Sequence, residues 1–239
     1  VRFAPESQSV GSKTRESTSE ELFKLSFLER LETTKLVQDK IEDTFGKNGK
    51  QIVGRSLSAA TFAPSMPPTG GDITSYAQRK VYEQRFDQSR DSFTNSGYLR
   101  NDKDGSELWR ISLRVAAFQG VDYGDFVHEL KGTIDPILKA HEYRLEILRQ
   151  LTKSSGESGF SARKVLLWDT PRPTRIDDGE ASAMEIEKWE RHSAMVEALT
   201  DLLTKDRLKV MPIELDPDQL PVVKLQKMNQ IDAVALVGQ

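Results

Sequence analysis

ELWRISLRVAAFQGVDYGDFVHELKGTIDPILKAH, residues Glu107–His141, is the stretch from which the rest of the chain is read. Trp109, Ile111, Leu113, Val115 and Ala117 alternate with Leu108, Arg110, Ser112, Arg114 and Ala116. That period of two predicts one strand over Glu107–Ala117, with one apolar and one largely polar face. Phe118–Asp122 makes the turn. Asp122 suits a helix N-cap, and Asp125 adds a carboxylate near the positive helix end. Val127, Leu130, Ile134, Ile137 or Leu138, Leu145 and Leu148 then follow at three-to-four spacing, the stripe of a long core-facing helix. A strand leading directly into such a helix is half of a split β-α-β unit. Pro136 removes one backbone hydrogen bond inside that helix. Either the helix kinks there or two helices meet at Asp135–Pro136.

Around this stretch the composition sets limits. The chain has 239 residues, 30% charged and 37% hydrophobic, enough for one large domain or two small ones with a real core. A net charge of −3 and a pI near 5.8 argue against a nucleic-acid footprint. The absence of cysteine excludes disulfides, zinc–cysteine sites and thiol catalysis. Ala233–Val237 is the longest unbroken apolar run, far below the roughly 20 residues that span a bilayer.

Residues 1–19 read as a flexible, Ser/Thr-rich leader. Phe23, Leu25 and Phe27 alternate like a strand, while Leu22, Phe23, Phe27, Leu28 and Leu31 fit a helical face equally well. A helix over 32–45 buries Leu36, Val37, Ile41 and Phe45 and stops at Gly46. Gln51–Phe62 is apolar except for Arg55 and is closed by a Pro/Gly connector. A helix is expected from Ser75 to about Ser96, with Tyr82, Phe86 and Phe93 toward the core. KSSGESGFSAR, residues 153–163, is the linker candidate, which leaves 20–152 as the first domain. Beyond it KVLLWD (164–169), a helix over Ala183–Lys205, LKVMPIEL (208–215), a short helix over Val222–Asn229 and IDAVALVG (231–238) alternate. Two-sided apolar strands in that order predict a small doubly wound parallel β-α-β-α-β module at 164–239.

Strand ends of such sheets face the usual ligand crevice, so Asp169 with Arg172 and Arg175 forms a candidate anion or nucleotide loop, the alternative being a metal held by Asp169, Asp177 and Asp178. No GxGxxG follows the strand, and Pro171 and Pro173 oppose a phosphate-cradling backbone. GKNGK at 46–50 lacks the P-loop spacing, and GESGF at 156–160 ends in Phe160 where a nucleophile elbow needs glycine. There is no HExxH, and His128 and His141 lie roughly 220° apart around a helix, so they cannot share a metal on one straight face. Glu107, Arg110 and Arg114 are expected to form surface ion pairs.

ELWRISLRVAAFQGVDYGDFVHELK, together with VGRSLSAATFAPSMPP (Val53–Pro68), resembles the extracytoplasmic loop of exporters of the resistance–nodulation–division superfamily, in the lipid-exporter-like (MMPL-type) branch. The resemblance covers residues 20–150. It implies a ferredoxin-like α+β porter subdomain, so the expected fold class is α/β, with that subdomain followed by the doubly wound module. It implies no cofactor and no catalytic residue, since the proton relay of such exporters lies in membrane helices. Its expected partners are flanking transmembrane helices of the same protein, an apolar or lipid-like substrate and a second copy of the chain, on the periplasmic face of the inner membrane. Leu108, Arg110, Arg114 and Phe118 are the candidate substrate-passage residues, because apolar ends beside cations suit an amphipathic cargo. The module at 164–239 departs from the usual family loop. An enzyme or a nucleotide- or anion-binding α/β protein with its chemistry around Asp169, and a pure docking module, are the competing classes.

Overall fold

The stretch that fits strand or helix is helical from Phe27 (α1, Phe27–Phe45), and the reason lies at its first turn. Ser26 Oγ accepts from Glu29 N, and Glu29 Oε2 accepts from Ser26 N at 2.7 Å, a reciprocal capping box. Losing such a cap costs about 1 kcal/mol. The computed structural model describes residues 1–3, 25–67, 73–116, 120–154, 164–169, 182–206, 208–214 and 233–236. Within them the chain is mixed α/β, with small antiparallel sheets and one parallel sheet. α1 buries Phe27, Leu28, Leu31, Val37, Ile41 and Phe45. Leu36 was expected in that stripe but is 47% exposed, because it sits about 100° around the helix from Val37. The helix stops at Gly46, whose N–H returns to Glu42 O; a Cβ there would lie 2.3 Å from that oxygen.

The single strand expected at 107–117 is two. β1 (Arg2–Phe3), β3 (Leu99–Asn101) and β4 (Glu107–Trp109) form one antiparallel sheet with β4 in the middle. β5 (Ile111–Val115) pairs instead with β2 (Val53–Ser58), Ser58 opposite Ile111 and Val53 opposite Val115 with a register shift between them. Both edges of β4 are occupied, so the chain can serve the second sheet only by turning out of the first, and it does so at Arg110. Trp109 is 2% exposed, packed on Phe27 at 5.1 Å and edge-on to Phe3. Ile111, Leu113 and Val115 are half-buried.

Glu107 corrects the surface ion-pair expectation. It shares parity with Trp109 and therefore points inward, where it is 1% exposed. Arg30 Nη1 meets its Oε2 at 2.6 Å, Arg90 meets Oε1, and Trp109 Nε1 donates to Oε2 at 3.0 Å. A carboxylate is tolerated at that depth because two guanidiniums pair with its charge and an indole N–H donates to it.

α2 (Ala59–Phe62) follows β2 directly. The helix expected over 75–96 is α3 (Ile73–Gln88) and α4 (Arg90–Asn95). At the break, Ser89 N–H is shared between Arg85 O and Phe86 O while its hydroxyl takes Arg85 O, competing with the helical ladder. Phe86 and Phe93 are buried on either side of the break, and Tyr82 packs beside them.

α5 (Tyr123–Ser154) begins as expected, with Asp122 Oδ1 accepting from Gly124 N and Asp125 N. It is one helix of 32 residues that continues through Pro136. The chain divides into two compact units, Val1–Ile134 and Asp135–Gln239, and the division falls within α5, beside Pro136. Phe126 belongs to the first unit, edge-on to Phe45 at 5.4 Å. In the second, Ile137, Ala140, Arg144, Ile147, Leu148 and Leu151 are buried at three-to-four spacing. Val127, Leu130, Ile134, Leu138 and Leu145, expected in the stripe, are half-buried.

The second unit also holds β6 (Lys164–Asp169), α6 (Ala183–Lys205), β7 (Lys209–Glu214) and β8 (Ala233–Leu236). The strands are parallel in the order β7-β6-β8. Val165, Leu166 and Leu167 are all at or below 1% exposure, as a central strand covered on both faces requires. Pro212 sits on β7, at the edge of the described sheet, where its missing N–H is least costly. α6 opens with a Ser182–Glu185 capping box and buries Met195, Val196, Leu199 and Leu203. Arg144 clamps Asp206 at the end of α6 with two bonds of 2.7 Å. The leader beyond Phe3, most of the linker, the loop 170–179 and the helix expected at 222–229 lie outside the described residues.

Candidate functional site: an aromatic groove

The four residues expected to line a passage do not share one strand face. Leu108 is half-buried on β4, opposite Arg2 on one side and Arg100 on the other. Arg110 is exposed at the turn between the sheets, and Arg114 is exposed on β5 in the other sheet. Phe118 lies outside the described residues. Asp169 ends β6 in register with Glu214. Its side chain, and Arg172 and Arg175 altogether, are likewise outside them.

A different set converges in the first unit. A groove of about 510 Å³ opens between α2, α3 and α4. Its floor is Phe86 and Phe93, two members of the core cluster that includes Phe27 and Trp109. Its upper wall is Phe62, Tyr82 and Tyr98, with Pro64 beside them. Phe62 is 61% exposed, with its ring on Tyr98 at 5.3 Å. An aromatic ring left this open, above a buried aromatic floor, is a surface on which an apolar molecule gains contact.

The rest of the lining is polar. Arg85, Ser89, Ser92 and Ser96 fall at steps of four, three and four along α3 and α4, and all four are exposed. Ser89 Oγ donates to Arg85 O and Ser96 Oγ to Phe93 O. Arg85 is the one ionised side chain among the described residues lining the groove. The signal was present in the sequence: a Tyr/Phe stripe (82, 86, 93) runs beside an Arg/Ser stripe (85, 89, 92, 96). Reading the first as core alone conceals the groove, because Phe62 and Tyr98 join it only through the tertiary fold.

Other polar centres serve the scaffold. Gln38 Nε2 donates to Ser56 O, its Oε1 accepts from Ser58 Oγ, and Glu42 accepts from Ser56 N and Oγ. Those bonds to Ser56 hold the Glu42 carboxyl below its ordinary pKa. Of the histidines, His128 is exposed, His141 half-buried and His192 buried. Burial first, then Arg144 and Lys205, lowers His141 to about 4. Among the described residues no group of three or more His, Cys, Asp or Glu could hold a metal, and no helix is long and apolar enough to cross a membrane. Comparison with protein-family models, with curated proteins and with solved structures returned no match.

Proposed function

We propose that this chain is the extracytoplasmic domain of a proton-driven exporter of the resistance–nodulation–division superfamily, lipid-exporter-like branch, and that it binds apolar or lipid-like cargo without performing catalysis. The observation that carries the reading is the open aromatic groove of Phe62, Tyr82 and Tyr98 over Phe86 and Phe93. Its volume falls within the roughly 300–1,000 Å³ of small-molecule sites. The resemblance quoted above supplies the biological setting: membrane helices of the same protein as partners, a second copy of the chain, and a periplasmic location. The element order supports the ferredoxin-like plan. α1 leads into β2, β2 pairs antiparallel with β5, and β5 leads into α5, the same α-β-β-α succession that a ferredoxin-like unit has at its centre, here interrupted by α2 through β4.

A neutral fluorophore such as N-phenyl-1-naphthylamine tests this. The chain is expected to take it up with an affinity in the micromolar range, and Phe62→Ser to weaken uptake about fivefold, roughly 1 kcal/mol. Arg114→Ala, on the other sheet, is expected to leave uptake unchanged. A wild-type chain that takes up no probe overturns the reading. Sensitivity at Arg114 instead of Phe62 returns the site to the strand.

A second reading draws on the parallel sheet. The order β7-β6-β8 has the first strand between the second and third, an order shared with the first three strands of flavodoxin-like doubly wound sheets, whose ligands sit beyond the strand ends between first and third. Asp169 ends the first of these strands. Calorimetric titration with ATP, GTP and NAD, with and without magnesium, separates the two. The exporter reading expects nothing tighter than about millimolar, whereas micromolar binding abolished by Asp169→Ala favours a nucleotide site.

A further inference from the structure

We infer that the Arg85 edge of the groove is a head-group subsite, selecting a single-chain amphiphile that carries an anion, carboxylate or phosphate, with its chain on Phe62 and Tyr98. The inference rests on the apolar-cargo reading above and adds the chemistry of the cargo's polar end. Its first support is the charge pattern of α3 and α4. Arg79 is held by Glu32 at 2.6 Å, Lys80 by Glu83 at 2.9 Å, and Arg90 by the buried Glu107. Arg85, between them in sequence, pairs with no carboxylate among the described residues. It is also the member of that series that lines the groove. Among the described residues, no acidic side chain lines the groove to offset it.

The second support is the division of the groove into two zones. Phe62, Tyr82 and Tyr98 offer apolar wall, while Arg85 and the serines form one polar margin. Ser89 and Ser96 spend their hydroxyl protons on Arg85 O and Phe93 O, so they present lone pairs and cannot draw an anion to themselves. Ser92 Oγ is a small neutral donor. Selection for negative charge therefore falls on the guanidinium, whose planar fork matches carboxylate and phosphate oxygens. A cationic head would meet Arg85 with repulsion, and a neutral alcohol would forgo the paired hydrogen bonds.

Displacement of N-phenyl-1-naphthylamine from the whole chain by decanoate, decyl phosphate, decanol and decyltrimethylammonium, each below its micelle concentration, provides the test. The wild type is expected to bind the better of the two anions about fivefold more tightly than decanol, the scale of one partly solvated charge pair. Decanoate against decyl phosphate tells which anion is preferred. Arg85→Gln is expected to remove the preference while decanol binds as before, Arg85→Lys to keep part of it, and Arg85→Glu to turn it toward decyltrimethylammonium. Arg85 is exposed, so these variants keep the fold, which circular dichroism checks. Phe62→Ser is expected to weaken all four ligands alike. If neither probe nor amphiphile binds, the apolar-cargo reading fails with this one. If the amphiphiles bind but show no preference for anions, or keep it in Arg85→Gln, only the head-group subsite is overturned.

Discussion

Glu107→Ala is expected to destabilise the first unit by about 3–5 kcal/mol, the usual cost of removing one partner from a buried charge cluster. Glu107 is 1% exposed and Arg30 4%, so the truncation leaves a guanidinium deep in the protein without its carboxylate. Trp109 loses the acceptor of its indole N–H at the same time. Arg90, whose side chain is 25% exposed, can turn toward water and adds less. Replacing both partners distinguishes a cost of unpairing from a net gain of pairing. Arg30→Met combined with Glu107→Leu removes both buried charges and is expected to recover most of the loss, since well-packed apolar replacements of a buried pair are often neutral. Trp109 is the first unit's one tryptophan, so urea unfolding followed by fluorescence in a Trp168→Phe, Trp189→Phe background reports that unit. A loss under about 1 kcal/mol for Glu107→Ala would mean that water reaches the cluster and the charges are cheap to separate.

Acidification is expected to weaken the second unit through His141. Its folded pKa is depressed to about 4, below the ordinary 6.5, by burial and by the nearby Arg144 and Lys205. The unfolded chain therefore binds the proton first. Stability is at its full value above pH 6.5, falls as pH drops toward 4, and has no further contribution from this residue below that. The interval of some two and a half pKa units corresponds to about 3 kcal/mol, and the imidazole's partial exposure brings the expected loss to about 2–3 kcal/mol. His141→Gln is expected to flatten that part of the profile while leaving the Arg144–Asp206 clamp in place. The difference between the two denaturation curves isolates the histidine from the general acid response. Parallel curves from pH 7 to 4 would mean that His141 is as easily protonated in the folded protein as in the unfolded chain.

The elements that could be read along the chain are those whose causes lie within four residues. Asp122 caps α5, the apolar run of KVLLWD forms a strand covered on both sides, and the spacing of Val196, Leu199 and Leu203 gives α6 its buried face. Helix against strand at Phe27 was decided as locally, by Ser26 and Glu29 three residues apart. The mixed α/β character follows from such signals, because helical and extended periodicities are properties of neighbouring side chains.

Residues far apart decided the rest. Arg110 marks the end of a strand only because β1, β2 and β3 compete for the backbone on either side of it, and no periodicity between 107 and 117 encodes that competition. Parity alone points Glu107 inward, yet its burial depends on Arg30 and Arg90, 77 and 17 residues earlier in the chain. The groove has the same origin. Tyr82, Phe86 and Phe93 were legible as an apolar stripe, but whether a stripe becomes sealed core or open wall depends on what arrives from elsewhere. Phe62 on α2 and Tyr98 before β3 arrive above it without closing it, leaving Arg85 and the serines as a margin. Side-chain periodicity chooses which residues face inward; the long-range pairing of segments chooses what they meet there, and with it where a ligand can enter.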